Sequence, residues 1–233
     1  MGTTVDEVAE GIFRISTTVP GFTFNQYLVC GERALLFHTG PRGMFADVSA
    51  AAFRVVAPEQ LAWVAYGHYE ADECGSLNEW LHAAPNATPA QGATGVLVSL
   101  GDLADREPRA LTDGEVLDLG GKRVRWLDTP HVPHGWDAGL LHEESTGTLL
   151  CGDLFTLLGD DHPATTDGDI VTAAIEADDA MGFTVRHAGT APTLERLAAL
   201  EPTTLGLMHG PAFTGGGAAA LRELAAHYEP TAG

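Results

Sequence analysis

The stretch His68-Tyr69-Glu70-Ala71-Asp72-Glu73-Cys74-Gly75-Ser76, residues 68–76, decides how the chain is read. An apolar run, Leu61-Ala62-Trp63-Val64-Ala65-Tyr66-Gly67, precedes it and predicts a buried strand. His68, Glu70, Asp72 and Glu73 carry side chains that bind metals. They fall where a strand gives way to a loop, the usual edge for a site in an α/β protein. Imidazole and carboxylate together suit iron, manganese or zinc. Alone, the stretch also reads as a solvated acidic turn capping the next helix, so its meaning depends on ligands elsewhere.

Three distant segments supply them. One is Asp128-Thr129-Pro130-His131-Val132-Pro133-His134-Gly135-Trp136-Asp137. Another is Leu149-Leu150-Cys151-Gly152-Asp153, an apolar strand ending in a carboxylate. The last is Leu205-Gly206-Leu207-Met208-His209-Gly210-Pro211, an apolar strand ending in a histidine. Strands that each end in a ligand aim those side chains into one site. Taken singly, Asp153 reads as a turn residue and His209 as a cap before Gly210; together with the first stretch they point to a metal centre.

The 233 residues fit one domain, 1–233, and 45% apolar residues suffice for a sizeable core. No run of eighteen apolar residues predicts a membrane helix, and Met1 to Glu7 shows no signal-peptide pattern. Twelve basic against 32 acidic residues give a net charge of −20, which argues against nucleic acid and anionic membranes as partners. Three cysteines cannot all pair, so a reducing, cytoplasmic setting is expected. Cys30 and Cys151 lie in apolar runs and read as core; Cys74 reads as exposed, beside the metals.

Strands are expected at 11–19, 24–30, 33–37, 61–67, 96–100, 116–119, 123–128, 138–142, 148–151 and 204–208. Helices are expected at 44–56, 76–83, 173–183, 193–200 and 218–227, with a loop or lid at 158–172. Two halves, each with strands followed by a helix, suggest two packed sheets with helices outside.

These residues resemble the metallo-β-lactamase superfamily, which implies a four-layer αβ/βα sandwich with a two-metal site along one edge. His68, Glu70, Asp72 and Gly75 match the H-x-E-x-D-H-x-G loop of its flavodiiron and oxygen-binding diiron branch. The branch has histidine where this chain has Glu73, so Glu73 either binds a metal in its place or points away; coordination is the favoured reading. His134 lies 19 residues before Asp153, the family distance, whereas His131 lies 22 before it. The resemblance therefore assigns His134 as ligand and His131 as a supporting group or substitute.

By the same resemblance His68, Glu70 and His134 hold one metal and Asp72, Glu73 and His209 the other, with Asp153 bridging. Cys74 and Trp136 stand beside the site, Trp136 as a shield against water. The resemblance implies two iron ions, zinc or manganese being the alternatives, and binding or reduction of dioxygen or a related small oxidant. Flavodiiron relatives carry a flavodoxin-like domain, for which 233 residues are expected to be too few, so turnover is expected to need a separate reductase. A homodimer is expected because relatives pair. The competing expectation is a metal-dependent hydrolase of an ester, lactone or phosphodiester, since a two-metal site can hold a nucleophilic hydroxide.

Overall fold

The computed structural model describes residues 2–229; Met1 and residues 230–233, the two ends of the expected 1–233 domain, lie outside the described residues. The first sheet takes its seven strands in chain order: β1 (Gly2–Ala9), β2 (Ile12–Val19), β3 (Phe22–Cys30), β4 (Ala34–Phe37), β5 (Leu61–Ala65), β6 (Thr88–Gly92) and β7 (Arg109–Leu111). Helices α1 (Phe45–Ala52), α2 (Ala71–Cys74) and α3 (Leu77–Ala83) connect its later strands.

The second sheet uses β8 (Val116–Asp118), β9 (Arg123–Asp128), β10 (Gly139–Glu143), β11 (Thr148–Gly152), β12 (Thr165–Thr166), β13 (Thr204–Leu207) and β14 (Ala212–Phe213). Its order is β12-β14-β13-β11-β10-β9-β8. Helices α4 (Val171–Met181), α5 (Thr190–Ala198) and α6 (Gly217–Tyr228) complete this half.

Strand alternation builds the layers, because successive side chains point to opposite faces. Tyr27, Val29, Leu35 and Phe37 face inward and meet Trp126, Leu141 and Leu150 between the sheets. Their neighbours Leu28 and Leu36 face outward and pack with Val48 of α1 and Leu77 and Trp80 of α3. On the other side Leu149, Cys151, Leu205 and Leu207 pack with Ala174, Leu194 and Leu221 of α4, α5 and α6. Helix, sheet, sheet and helix thus form the four-layer αβ/βα sandwich of the metallo-β-lactamase fold. Each fully buried Leu, Val or Phe contributes about 1.5–3 kcal/mol, so these clusters dominate the cohesion of the layers.

The topology also gathers strand ends. β11 runs parallel to β13, and β9 runs antiparallel to β10, which runs antiparallel to β11. The C-terminal ends of β9, β11 and β13 therefore share one edge of the second sheet.

Three expectations are corrected. Residues 96–100 are not a strand: Val96–Leu100 forms a π-helical turn, and Leu97 is 84% exposed, so its apolar β-branched composition does not mark a buried strand. β1 and β6 lie where no strand is expected; β1 is a polar edge strand and β6, Thr-Pro-Ala-Gln-Gly, has little strand propensity of its own. Cys74 is buried, its thiol donating to the Glu70 carbonyl oxygen at 3.1 Å, because α2 folds back on the loop.

The turn joining β10 to β11 rests on one buried carboxylate. Glu143 accepts hydrogen bonds from the backbone N–H and hydroxyl of both Ser145 and Thr146, at 2.6–2.9 Å. Burial pushes its pKa upward, but these donors prevail and hold it at about 2. A depressed folded value stabilises the protein above the ordinary carboxylate range, and that contribution disappears as pH falls towards about 2. Glu143→Gln is expected to lower stability at neutral pH by about 1–3 kcal/mol, with the deficit shrinking below about pH 4. Urea unfolding of both proteins across that range checks it.

Candidate metal centre

Each donor reaches the centre from the end of a regular element. β5 ends at Ala65, and Tyr66-Gly67 carry the chain to His68. Gly67 is required here: a Cβ would approach Oε2 of Glu73 to 3.0 Å and the Gly139 carbonyl oxygen to 2.9 Å. Glu70 stands extended at the N-cap of α2, and Asp72 and Glu73 occupy its first turn. His134 lies in the loop between β9 and β10. A bulge in β11 and a left-handed Gly152, φ +51°, turn Asp153 off its strand. His209 follows Met208 just beyond β13.

Two donor groups result. His68, Glu70, His134 and Asp153 offer ligand atoms within 4.8 Å of one another, and so do Asp72, Asp153 and His209. Asp153 divides itself between them. Its Oδ2 lies 3.5 Å from Nε2 of His68 and 3.3 Å from Nε2 of His134. Its Oδ1 lies 3.2 Å from Nε2 of His209. Oε1 of Glu70 is 3.3 Å from His134 Nε2, and Oδ2 of Asp72 is 3.4 Å from His209 Nε2.

The imidazoles are oriented from behind. Nδ1 of His209 stands 2.8 Å from the Thr23 carbonyl oxygen, which only accepts, so Nδ1 carries the proton and Nε2 faces Asp153. Phe22 packs on the same ring, centroid to centroid 4.2 Å. Nδ1 of His68 stands 3.1 Å from Oε1 of Glu73, again leaving Nε2 forward.

The group fits a pair of cations. Nε2 of His68 and Oδ1 of Asp153 are buried and lack a hydrogen-bond partner among the described residues, although such atoms are costly to leave unmet. Donors about 2.1 Å from one cation lie roughly 3.0–3.4 Å apart, close to the spacings found here. Without cations, protons must balance the carboxylates. Burial works to lower the pKa of His68, but Glu73, Glu70 and Asp153 overcome it and push it up to about 12. His209 rises to about 9 in the same way, against its burial, through Asp153 and Asp72. Asp153 is held well below the carboxylate range because the three imidazoles outweigh its desolvation.

Glu73 does not join either donor group. It is wholly buried, accepts the backbone N–H of His68 at 2.6 Å and lies 3.4 Å from Nε2 of His38. The expectation that it completes the second set is therefore corrected. Neighbours on a helical turn point about 100° apart, so α2 can aim Asp72 at the centre only by aiming Glu73 behind it. His134, not His131, is brought to the centre; His131 is exposed, with φ +67°. Trp136 is 60% exposed and does not line the cavity beside the donors.

That cavity encloses about 150 Å³ and is walled by Phe22, Thr156, Met181 and Phe183 around the ligand side chains. Phe22, Thr156 and Met181 carry no local sequence signal, because they come from the first residue of β3, the loop after β11 and the end of α4. His38 stands wholly buried behind Glu73 in a left-handed conformation, φ +65°.

Comparison with known proteins places the fold. The chain is 33% identical over 147 residues to the coenzyme F420H(2) oxidase of Methanothermobacter marburgensis, a match covering 59% of this chain and 36% of that protein. The chain thus spans about a third of the length of that relative. Its fold superposes on rubredoxin oxygen:oxidoreductase from Desulfovibrio gigas with a TM-score of 0.81 at 19% identity, over 97% of this chain and 60% of that one. The Flv1 flavodiiron core from Synechocystis, solved after metal soaking, gives 0.78 at 19% identity over the same shares. The family model described as ODP family beta lactamase matches residues 22–183, well over half of the sequence, and the chain belongs to that family.

Proposed function

We propose that the chain is a non-haem diiron protein that binds or reduces dioxygen, with electrons delivered by a reductase partner. The observation that carries this reading is the division of Asp153, one carboxylate oxygen towards His68 and His134 and the other towards His209. A short acid placed in that way suits a bridge between two cations. In this reading His68, Glu70 and His134 hold one iron, Asp72 and His209 the other, and Asp153 both. Mixed imidazole and carboxylate donors suit iron, with zinc or manganese as the alternatives. The names of the relatives, an F420H(2) oxidase and a rubredoxin oxygen:oxidoreductase, support oxygen as the substrate.

Bound iron would supply the redox chemistry, relaying the reductase partner's electrons to the oxidant. The chain's own residues do the rest. Phe22, Met181 and Phe183 keep the cavity small and apolar-walled, and Thr23 holds the His209 ring in place. A cavity of about 150 Å³ beside the donors accommodates a diatomic oxidant.

Anaerobically purified protein is expected to carry about two irons per chain, the two-cation stoichiometry of such sites. A new charge-transfer band should follow on admitting air. Two zincs with esterase turnover, and no optical change in air, would instead establish the hydrolase.

A further inference from the structure

Glu73 is the one acidic side chain of the 68–76 stretch that turns its back on the donors, and its contacts give it a different task. Its carboxylate has no exposure to solvent. Oε2 accepts the His68 backbone N–H at 2.6 Å, and Oε1 lies 3.1 Å from His68 Nδ1. The same oxygen lies 3.4 Å from Nε2 of His38, itself fully buried. Glycine at 67 leaves room for the carboxylate against the chain.

We propose that Glu73 is a positioning residue: it grips His68 at both the backbone and Nδ1, so that the ring presents Nε2 to the first cation. A consequence follows for the second cation. Its protein donors are three, Asp72, Asp153 and His209, against four for the first. The two sites therefore bind the same cation with unequal strength, the His68 site being the tighter. This rests on the two-cation reading above.

The test is a competitive titration of the metal-free full chain with Zn(II) against a chromophoric chelator. The wild-type chain is expected to show two steps at least about tenfold apart, because the second set lacks a donor. Glu73→Gln keeps the volume but removes the anionic grip on Nδ1. It should weaken the tight step by about 10–100-fold, the usual effect of losing such a support, and leave the loose step nearly unchanged. Loss of the loose step alone would make Glu73 a ligand of the second cation and overturn the proposal. An unmoved tight step, or equal weakening of both steps, would overturn it too.

A measurement on the wild-type chain covers a variant that does not fold. In the zinc-loaded protein, nitrogen NMR should show His68 protonated at Nδ1 and coordinated through Nε2; coordination through Nδ1 contradicts the proposal. A wild-type chain that takes up no zinc would count instead against the two-cation reading itself.

Discussion

Asp153→Ala removes both cations at once. Its two oxygens face different donor groups, so truncation cuts the first set from four protein donors to three and the second from three to two. Each site also loses an anion where carboxylate charge offsets the cation. Losing a supporting group costs about 10–100-fold in metal affinity, and losing a shared ligand should cost more than the upper figure at both sites. Metal analysis after gel filtration is expected to find essentially none bound. His131→Ala, by contrast, should keep both, since that side chain is exposed and outside either set. Metal retained in Asp153→Ala would refute the bridging arrangement.

Cation affinity should also fall steeply as pH is lowered. In the metal-free protein His68 is pushed up to about 12 and His209 to about 9, so both rings carry an extra proton at neutral pH. That proton must leave before Nε2 can bind a cation. With one proton displaced per site, each affinity should drop about tenfold per pH unit, or about 100-fold between pH 8 and pH 6. Stability of the metal-free chain should run the other way. A raised folded value stabilises fully below the ordinary histidine range and is lost as pH rises through the folded value. The His209 contribution therefore fades between about pH 6.5 and 9, by an amount on the order of 2 kcal/mol. Chelator competition and thermal melts of metal-free protein at matched pH values check the two slopes. A flat affinity profile would show that the histidines are not the donors.

Much of the molecule is legible in its sequence. β3, β4, β5, β11 and β13 are interior strands, so their apolar runs stand out, and a ligand follows β5, β11 and β13. Edges and partners are harder. β1 alternates polar residues against solvent, and β6 owes its conformation to β5 and β7 rather than to Thr88-Pro89-Ala90-Gln91-Gly92 itself. The run Val96-Leu97-Val98 has strand composition, yet it forms a helical turn with Leu97 in solvent. Glu73 shows a further limit. Its position in the motif says ligand, but the helical turn that points Asp72 forward points Glu73 back, and only coordinates reveal which way each faces. The cavity walls are the least legible part. Phe22, Thr156 and Met181 come from separate elements, and no pattern of spacing joins them.

The central claim is that six residues from loop and strand ends assemble two adjoining cation sites on one carboxylate. Crystals of the full chain soaked anaerobically with Fe(II), and measured at the iron edge, test it most directly. Two anomalous peaks are expected on either side of Asp153, one against His68, Glu70 and His134 and the other against Asp72 and His209. A single peak, or peaks that do not share Asp153, would contradict the account.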